Sequence, residues 1–116
     1  MATEYVAIEY PDFERVDVRA GRIVEAADFP EARKPAYKLR IDFGDGIGIR
    51  SSSVQIVANY AREDLVGTLV MGVVNLPPKR IGPFVSECLT LGFPGADGNV
   101  VLARPGSEVP LGSRLF

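Results

Sequence analysis

Thirteen lysine and arginine side chains, set against fifteen aspartates and glutamates, are the chain's main chemical resource, and their spacing is uneven. Arg33, Lys34, Lys38 and Arg40 lie in residues 33–41 without an acid. Arg50 and Arg62 stand alone in 46–62, as do Lys79 and Arg80 in 75–86. Eight of the 13 cations therefore occupy three acid-free stretches, whereas Glu4, Glu9, Asp12 and Glu14 fall within the first 14 residues with no base among them. The net charge of −2 and pI of about 5.1, taken as totals, argue against a nucleic-acid partner. Position argues the other way, because a surface field is set by where charges sit.

Proton and metal chemistry is poorly supplied. The chain has no His, which removes Ser/His/Asp and Cys/His catalysis, imidazole ligation and the usual proton shuttle at neutral pH. Its one cysteine, Cys88, excludes an internal disulfide and a cysteine zinc site and fits a reducing cytoplasm. Among apolar neighbours, Cys88 reads as an inert buried thiol. Asp42 and Asp45 could join Glu63 and Asp64 as an acid pair or hard-cation site, but turn and cap roles explain each more simply. The GDGIG run at 44–48 opens no helix and so is no phosphate-binding loop. No enzyme, metal or cofactor is expected.

These residues need a scaffold, and 116 residues with 47% hydrophobic content supply one core, hence one domain over 1–116. No apolar run approaches the ~18 residues that cross a bilayer, so no membrane partner is expected. Residues 1–14 read as an acidic leader that still packs through Tyr5, Val6, Ile8 and Tyr10. VDVRAGRIVEA at 16–26 reads as a strand curling at Gly21, and 28–36, with Pro30 and Pro35, as a loop. Tyr37, Leu39, Ile41 and Phe43 alternate with Lys38, Arg40 and Asp42, the period of a half-buried strand. Across Gly44-Asp45-Gly46 a hairpin would set Phe43 opposite Ile47, Ile41 opposite Ile49 and Arg40 opposite Arg50. Arg40 beside Arg50 would repel, and a bound anion or Asp42 would relieve the cost.

Val54, Ile56, Val57, Tyr60 and Leu65 fall at roughly helical spacing, with a serine-rich entry as cap and Gly67 as stop, so one or two short helices are predicted in 53–67. A strand over Leu69 to Val74 and a long loop over Asn75 to Val85 follow. Strands at Glu87 to Phe93 and Val100 to Leu102 then flank a turn. Three strands, a short helix and two strands suit an all-β, five-stranded Greek-key barrel of the OB type, with an SH3-like barrel or small sandwich as alternatives. In an OB barrel the three basic stretches become the strand 1–2 loop, the strand 2–3 hairpin and the strand 4–5 loop, through which such barrels bind oligonucleotides. Tyr37 reads as core. Phe84, in a basic proline-rich loop, could stack on a base or anchor the loop.

FERVDVRAGRIVEA at 13–26, PEARKPAYKLRIDFG at 30–44, SSSVQI at 51–56 and VVNLPPKRIGPFVSECLTLG at 73–92 resemble the tRNA-binding domain of the endothelial monocyte-activating polypeptide type. That domain ends bacterial methionyl-tRNA synthetases, occurs in phenylalanyl-tRNA synthetase β chains, and exists free-standing in the CsaA type. Lys38-Leu39, Asn75-Leu76, Lys79-Arg80, Ser86-Glu87 and the segment Ser52, Ser53, Gln55, Ile56 match its motifs. Ser51 and Cys88 depart from the synthetase-linked pattern in the CsaA direction. The resemblance implies an OB-fold, a homodimer held by terminal segments, and two partners, tRNA and unfolded or preprotein peptides. For tRNA the expected contacts are Arg33, Lys34, Lys38, Arg40, Arg50, Lys79 and Arg80 on phosphates, with Ser53, Gln55, Asn75 and Ser86 hydrogen-bonding nearby. For an export-related peptide chaperone they are Pro77, Ile81, Pro83 and Phe84.

Overall fold

The computed structural model describes residues 5–116; Glu4 of the acidic leader lies outside them. After a short helix, α1 (Tyr10–Glu14), the chain forms β1 (Val18–Asp28), β2 (Tyr37–Asp42) and β3 (Ile49–Val54). A one-turn helix, α2 (Arg62–Leu65), precedes β4 (Leu69–Val73). Then come β5 (Lys79–Ile81), β6 (Phe84–Ser86), β7 (Leu89–Thr90), β8 (Gly92–Pro94) and β9 (Val100–Leu102). The main sheet is antiparallel in the order β3-β2-β1-β4-β7. It curls until the Glu87 amide donates to Ser51 O at 2.7 Å and Thr90 Oγ1 to Ser52 Oγ at 2.8 Å. The five-stranded Greek-key barrel expected from the sequence is thus nearly closed, with α2 between its third and fourth strands as expected.

Alternation carries the interior. Leu39 and Ile41 from β2, Ile23 from β1 and Val70 from β4 are wholly buried, and Phe43, Ile56 and Leu65 pack with them. Tyr37 is also core, its hydroxyl donating to Tyr60 O at 2.7 Å. One strand serves two neighbours. β1 pairs with β4 from Val18 to Arg22 and with β2 from Arg22 to Asp28.

Several sequence expectations need correction. The irregularity in β1 is a bulge at Val24, where Ile23 pairs with Ile41 and Glu25 with Arg40. Gly21 serves packing instead: a Cβ there would stand 2.6 Å from Ile41 Cγ2 and 2.8 Å from the Phe43 ring. The β2–β3 register is shifted by one from the expected hairpin. Gly44 and Gly48 both take positive φ (87° and 83°), the Phe43 amide bonds Gly48 O, and Gly44 to Ile47 form a four-residue turn. Arg40 therefore faces Ser51 and Arg50 faces Ile41, so the Arg40–Arg50 repulsion does not exist.

The Ser51 to Ser53 run lies in β3 and caps nothing; α2 starts after Ala61 and is the only helix in 53–67, preceded by a single turn in which the Asn59 and Tyr60 amides bond Ile56 O, and Gly67 lies just beyond it. The proline-rich loop contains the β5–β6 ribbon, turning at Gly82-Pro83. The predicted strand over 87–93 is split into β7 and β8. Of the leader's described apolar residues, Tyr5, Val6 and Ile8 do not pack within one chain, being 88%, 90% and 70% exposed, whereas Tyr10 meets Phe13 at 6.1 Å.

Candidate nucleic-acid interface

Antiparallel register sets the outer face of β1, β2 and β3 as rows. One row is Ala27, Lys38 and Ser53; the next is Glu25, Arg40 and Ser51. Lys38 Nζ stands 5.6 Å from the centroid of the Phe29 ring, a cation–π contact that steers the ammonium over the β1–β2 loop. Phe29 is buried and meets Phe84 edge-on at 5.3 Å. That contact ties the β1–β2 loop to the β5–β6 ribbon, so Phe84 anchors rather than presenting an open ring. Phe29 was not singled out in the sequence; an apolar residue beside Pro30 in a polar loop was the available signal.

The cations differ in their commitments. Arg33 and Lys34 are exposed on the β1–β2 loop, and Lys79 and Arg80 are exposed on β5. None of these four makes an ion pair with a described residue. Arg40 lies 3.7 Å from Glu25, an exposed pair of small energetic weight. Arg50 turns to the barrel end, 3.4 Å from Val74 O, away from the Lys38 row. Arg62 pairs with Asp28 at 3.5 Å.

The β5–β6 ribbon folds against β3 and leaves a cleft of about 280 Å³ lined by Ser53, Gln55, Leu76, Pro77, Lys79, Ile81, Ser86, Cys88 and Leu89. Ser86 Oγ builds its floor, accepting from the Ser53 amide at 3.1 Å and donating to Cys88 O at 3.3 Å. Glu87 Oε1 accepts the Ser51 amide at 3.0 Å. The Cys88 thiol is buried and its pKa is pushed up to about 11, chiefly by desolvation, which keeps it neutral and unreactive. Four expected RNA contacts, Ser53, Gln55, Lys79 and Ser86, thus share one cleft with Pro77 and Ile81 of the peptide set, whereas Pro83 and Phe84 do not line it. Leu76 and Leu89 line it too; no periodicity marked them for this.

Asn75 is placed differently. Its Oδ1 accepts the Asp17 amide at 3.0 Å and its Nδ2 donates to Arg15 O at 2.7 Å, so both ends of the carboxamide are bound to main chain. Asp42 keeps its turn role, accepting the Gly44 amide at 2.8 Å. Among the described residues no three His, Cys, Asp or Glu side chains gather as a metal site.

A second, apolar region lies at the termini. The tail runs beside β1, with the Leu115 amide on Val18 O at 2.9 Å and the Ala20 amide on Ser113 O at 2.9 Å. Asp17 clamps it: Arg19 donates at 2.6 Å and Arg114 lies at 3.5 Å. The Arg19 hydrogen bond holds the Asp17 carboxyl below its ordinary range. Arg114 also donates to Glu14 O. Tyr10, Phe13, Val16, Leu115 and Phe116 line one hollow, and Val18, Ala20, Met71 and Val109 line an apolar one of about 190 Å³ next to it. Phe116 is 99% exposed.

A nearly closed barrel with cations on its first loop, second strand and ribbon is a barrel of the oligonucleotide-binding type. Residues 18–114 match the family described as "Putative tRNA binding domain", and the chain belongs to that family. It is 37% identical over 108 residues to the methionine–tRNA ligase of Porphyromonas gingivalis, a match covering 93% of this chain but 15% of the ligase. The chaperone CsaA of Bacillus anthracis superposes with a TM-score of 0.88 at 45% identity, covering 96% of this chain and all of that one. A methionyl-tRNA synthetase-related protein of Pyrococcus horikoshii gives 0.84 at 27% identity, covering 97% of this chain and all of that one. The chain is CsaA-like, as the sequence motifs implied. No helix among the described residues is long and apolar enough to cross a membrane.

Proposed function

We propose that residues 1–116 form one non-catalytic module that binds tRNA, acts as a homodimer and works in the cytoplasm. The observation that carries this is the gathering of Lys79, Ser53, Gln55 and Ser86 at one cleft, on a chain whose exposed Arg33, Lys34 and Arg80 make no ion pair with a described residue and whose Lys38 adds charge from over the Phe29 ring. Backbone phosphates would meet the cations and the cleft would take neighbouring groups, so recognition rests on shape and charge more than on sequence. Arg40 adds charge from a weak pair, and Arg50 from the barrel end. Asn75 contributes by fixing main chain.

The dimer reading is supported by the exposed apolar side chains at both termini, which a second copy would cover. Two copies would also double the basic surface facing one RNA. A second reading, binding of unfolded or preprotein peptides, is favoured by the name chaperone carried by the CsaA structures and by Pro77 and Ile81 in the cleft.

Binding of unfractionated tRNA, followed across a salt series and beside an apolar peptide, tests the first reading. Binding that weakens steeply with salt is expected. Absent or salt-insensitive tRNA binding beside measurable peptide binding would transfer the function to the second. Sedimentation of wild type and Phe13→Asp tests the dimer, which the substitution should dissociate.

A further inference from the structure

The cleft between β3 and the β5–β6 ribbon carries more detail than a basic surface needs. Ser53 Oγ, the Gln55 carboxamide and Lys79 Nζ make no hydrogen bond to a described residue, although all three line it. Leu76, Pro77 and Ile81 line it as well, Ile81 on the same face of β5 as Lys79. About 280 Å³ is just under the size at which small-molecule sites begin, roughly 300 Å³. Such a volume suits one flat heterocycle and excludes a helix of either nucleic acid or protein.

The geometry points to a pocket for a single unstacked RNA base, an assignment that rests on the RNA-binding reading above. Apolar walls take the faces of the base, and Gln55 with Ser53 meets its polar edge. Lys79 takes the flanking phosphate. The exposed Gln55 carboxamide and half-buried Ser53 hydroxyl are open to the donors and acceptors of a base edge, which a purely apolar side chain does not offer. An extended peptide adding as a strand is disfavoured, because the outer edge of β3 is already engaged. Its Ser51 and Ser53 amides are bonded to Glu87 Oε1 at 3.0 Å and Ser86 Oγ at 3.1 Å. The charge of the rim matches phosphate.

Two hairpin RNAs matched in phosphate number test this, one fully paired and one carrying a single bulged 2-aminopurine. The full chain should bind the bulged hairpin roughly tenfold tighter, with a change in 2-aminopurine emission on binding. Gln55→Ala and Ile81→Ala should each reduce that preference to roughly threefold or less. Equal affinities for the two hairpins, or a preference that both variants retain, would overturn the base pocket while leaving RNA binding intact. Failure to bind either hairpin removes the pocket and the RNA reading together. Return of free 2-aminopurine emission on adding an apolar peptide, with the hairpin still bound, would assign the cleft to peptides.

Discussion

Replacing Lys79 and Arg80 together by alanine separates phosphate contact from any other use of the ribbon. Both side chains are exposed and neither holds a described carboxylate, so fold stability should change by no more than about 0.5 kcal/mol. Each phosphate contact contributes about 0.7 to 0.9 to the slope of log affinity against log salt. Losing two therefore flattens the slope by about 1.6. Between 50 and 200 mM salt, a fourfold change, wild type should lose affinity about tenfold more than the variant.

If one RNA spans two protomers, four cations are lost, the slope change is about 3.2, and the factor rises to nearly a hundred. The assay is fluorescence anisotropy of labelled tRNA at five salt concentrations, with a thermal melt of each protein. An unchanged slope in a variant with an unchanged melt would refute the placement of phosphate on the ribbon. The size of the change then distinguishes one protomer from two.

Three further outcomes follow from packing and charge. Gly21→Ala places a Cβ 2.6 Å from a fully buried isoleucine and should cost about 1–3 kcal/mol, lowering the melting temperature by about 5 °C or more; an unshifted melt would mean the barrel end is loose. Asn75→Ala removes both bonds to the Arg15–Asp17 main chain and should cost about 1 kcal/mol in a urea titration; no loss would mean that water replaces the amide. Cys88, with its pKa raised from 9.0 to about 11, keeps its proton in the fold when the unfolded chain has lost it. Wild-type stability should therefore fall between pH 9 and 11 by about 1.4 kcal/mol per unit, a component absent in Cys88→Ala and tested by denaturant titrations of both across that range.

Much of the barrel was legible because strand alternation is local. Leu39 and Ile41 against Lys38 and Arg40 declare an inside and an outside whatever the strand pairs with, and the wholly buried pair is the same in the structure. The register was not legible. Three turn residues and four differ only in which glycines take positive φ, and that one step moved Arg50 from beside Arg40 to beside Ile41. The ribbon was hidden because three-residue strands cannot stand alone and form here by folding against β3. The helix was overextended because Val54, at helical spacing from Val57, belongs to a strand.

Charge followed the same division. By itself the sequence determined that the chain has no histidine and a single cysteine, that its cations group in acid-free stretches, and that its alternation makes a small β barrel. Those properties reside in residue type and near spacing. Only the tertiary structure decided which cations meet a carboxylate among the described residues, since Glu25 reaches Arg40 across a strand and Asp28 reaches Arg62 across the fold. It also decided that Asn75 supports main chain and that Ser53, Gln55 and Lys79 share a cleft. Such pairings join residues far apart in the chain, and closing those loops depends on the whole barrel, which no local pattern encodes.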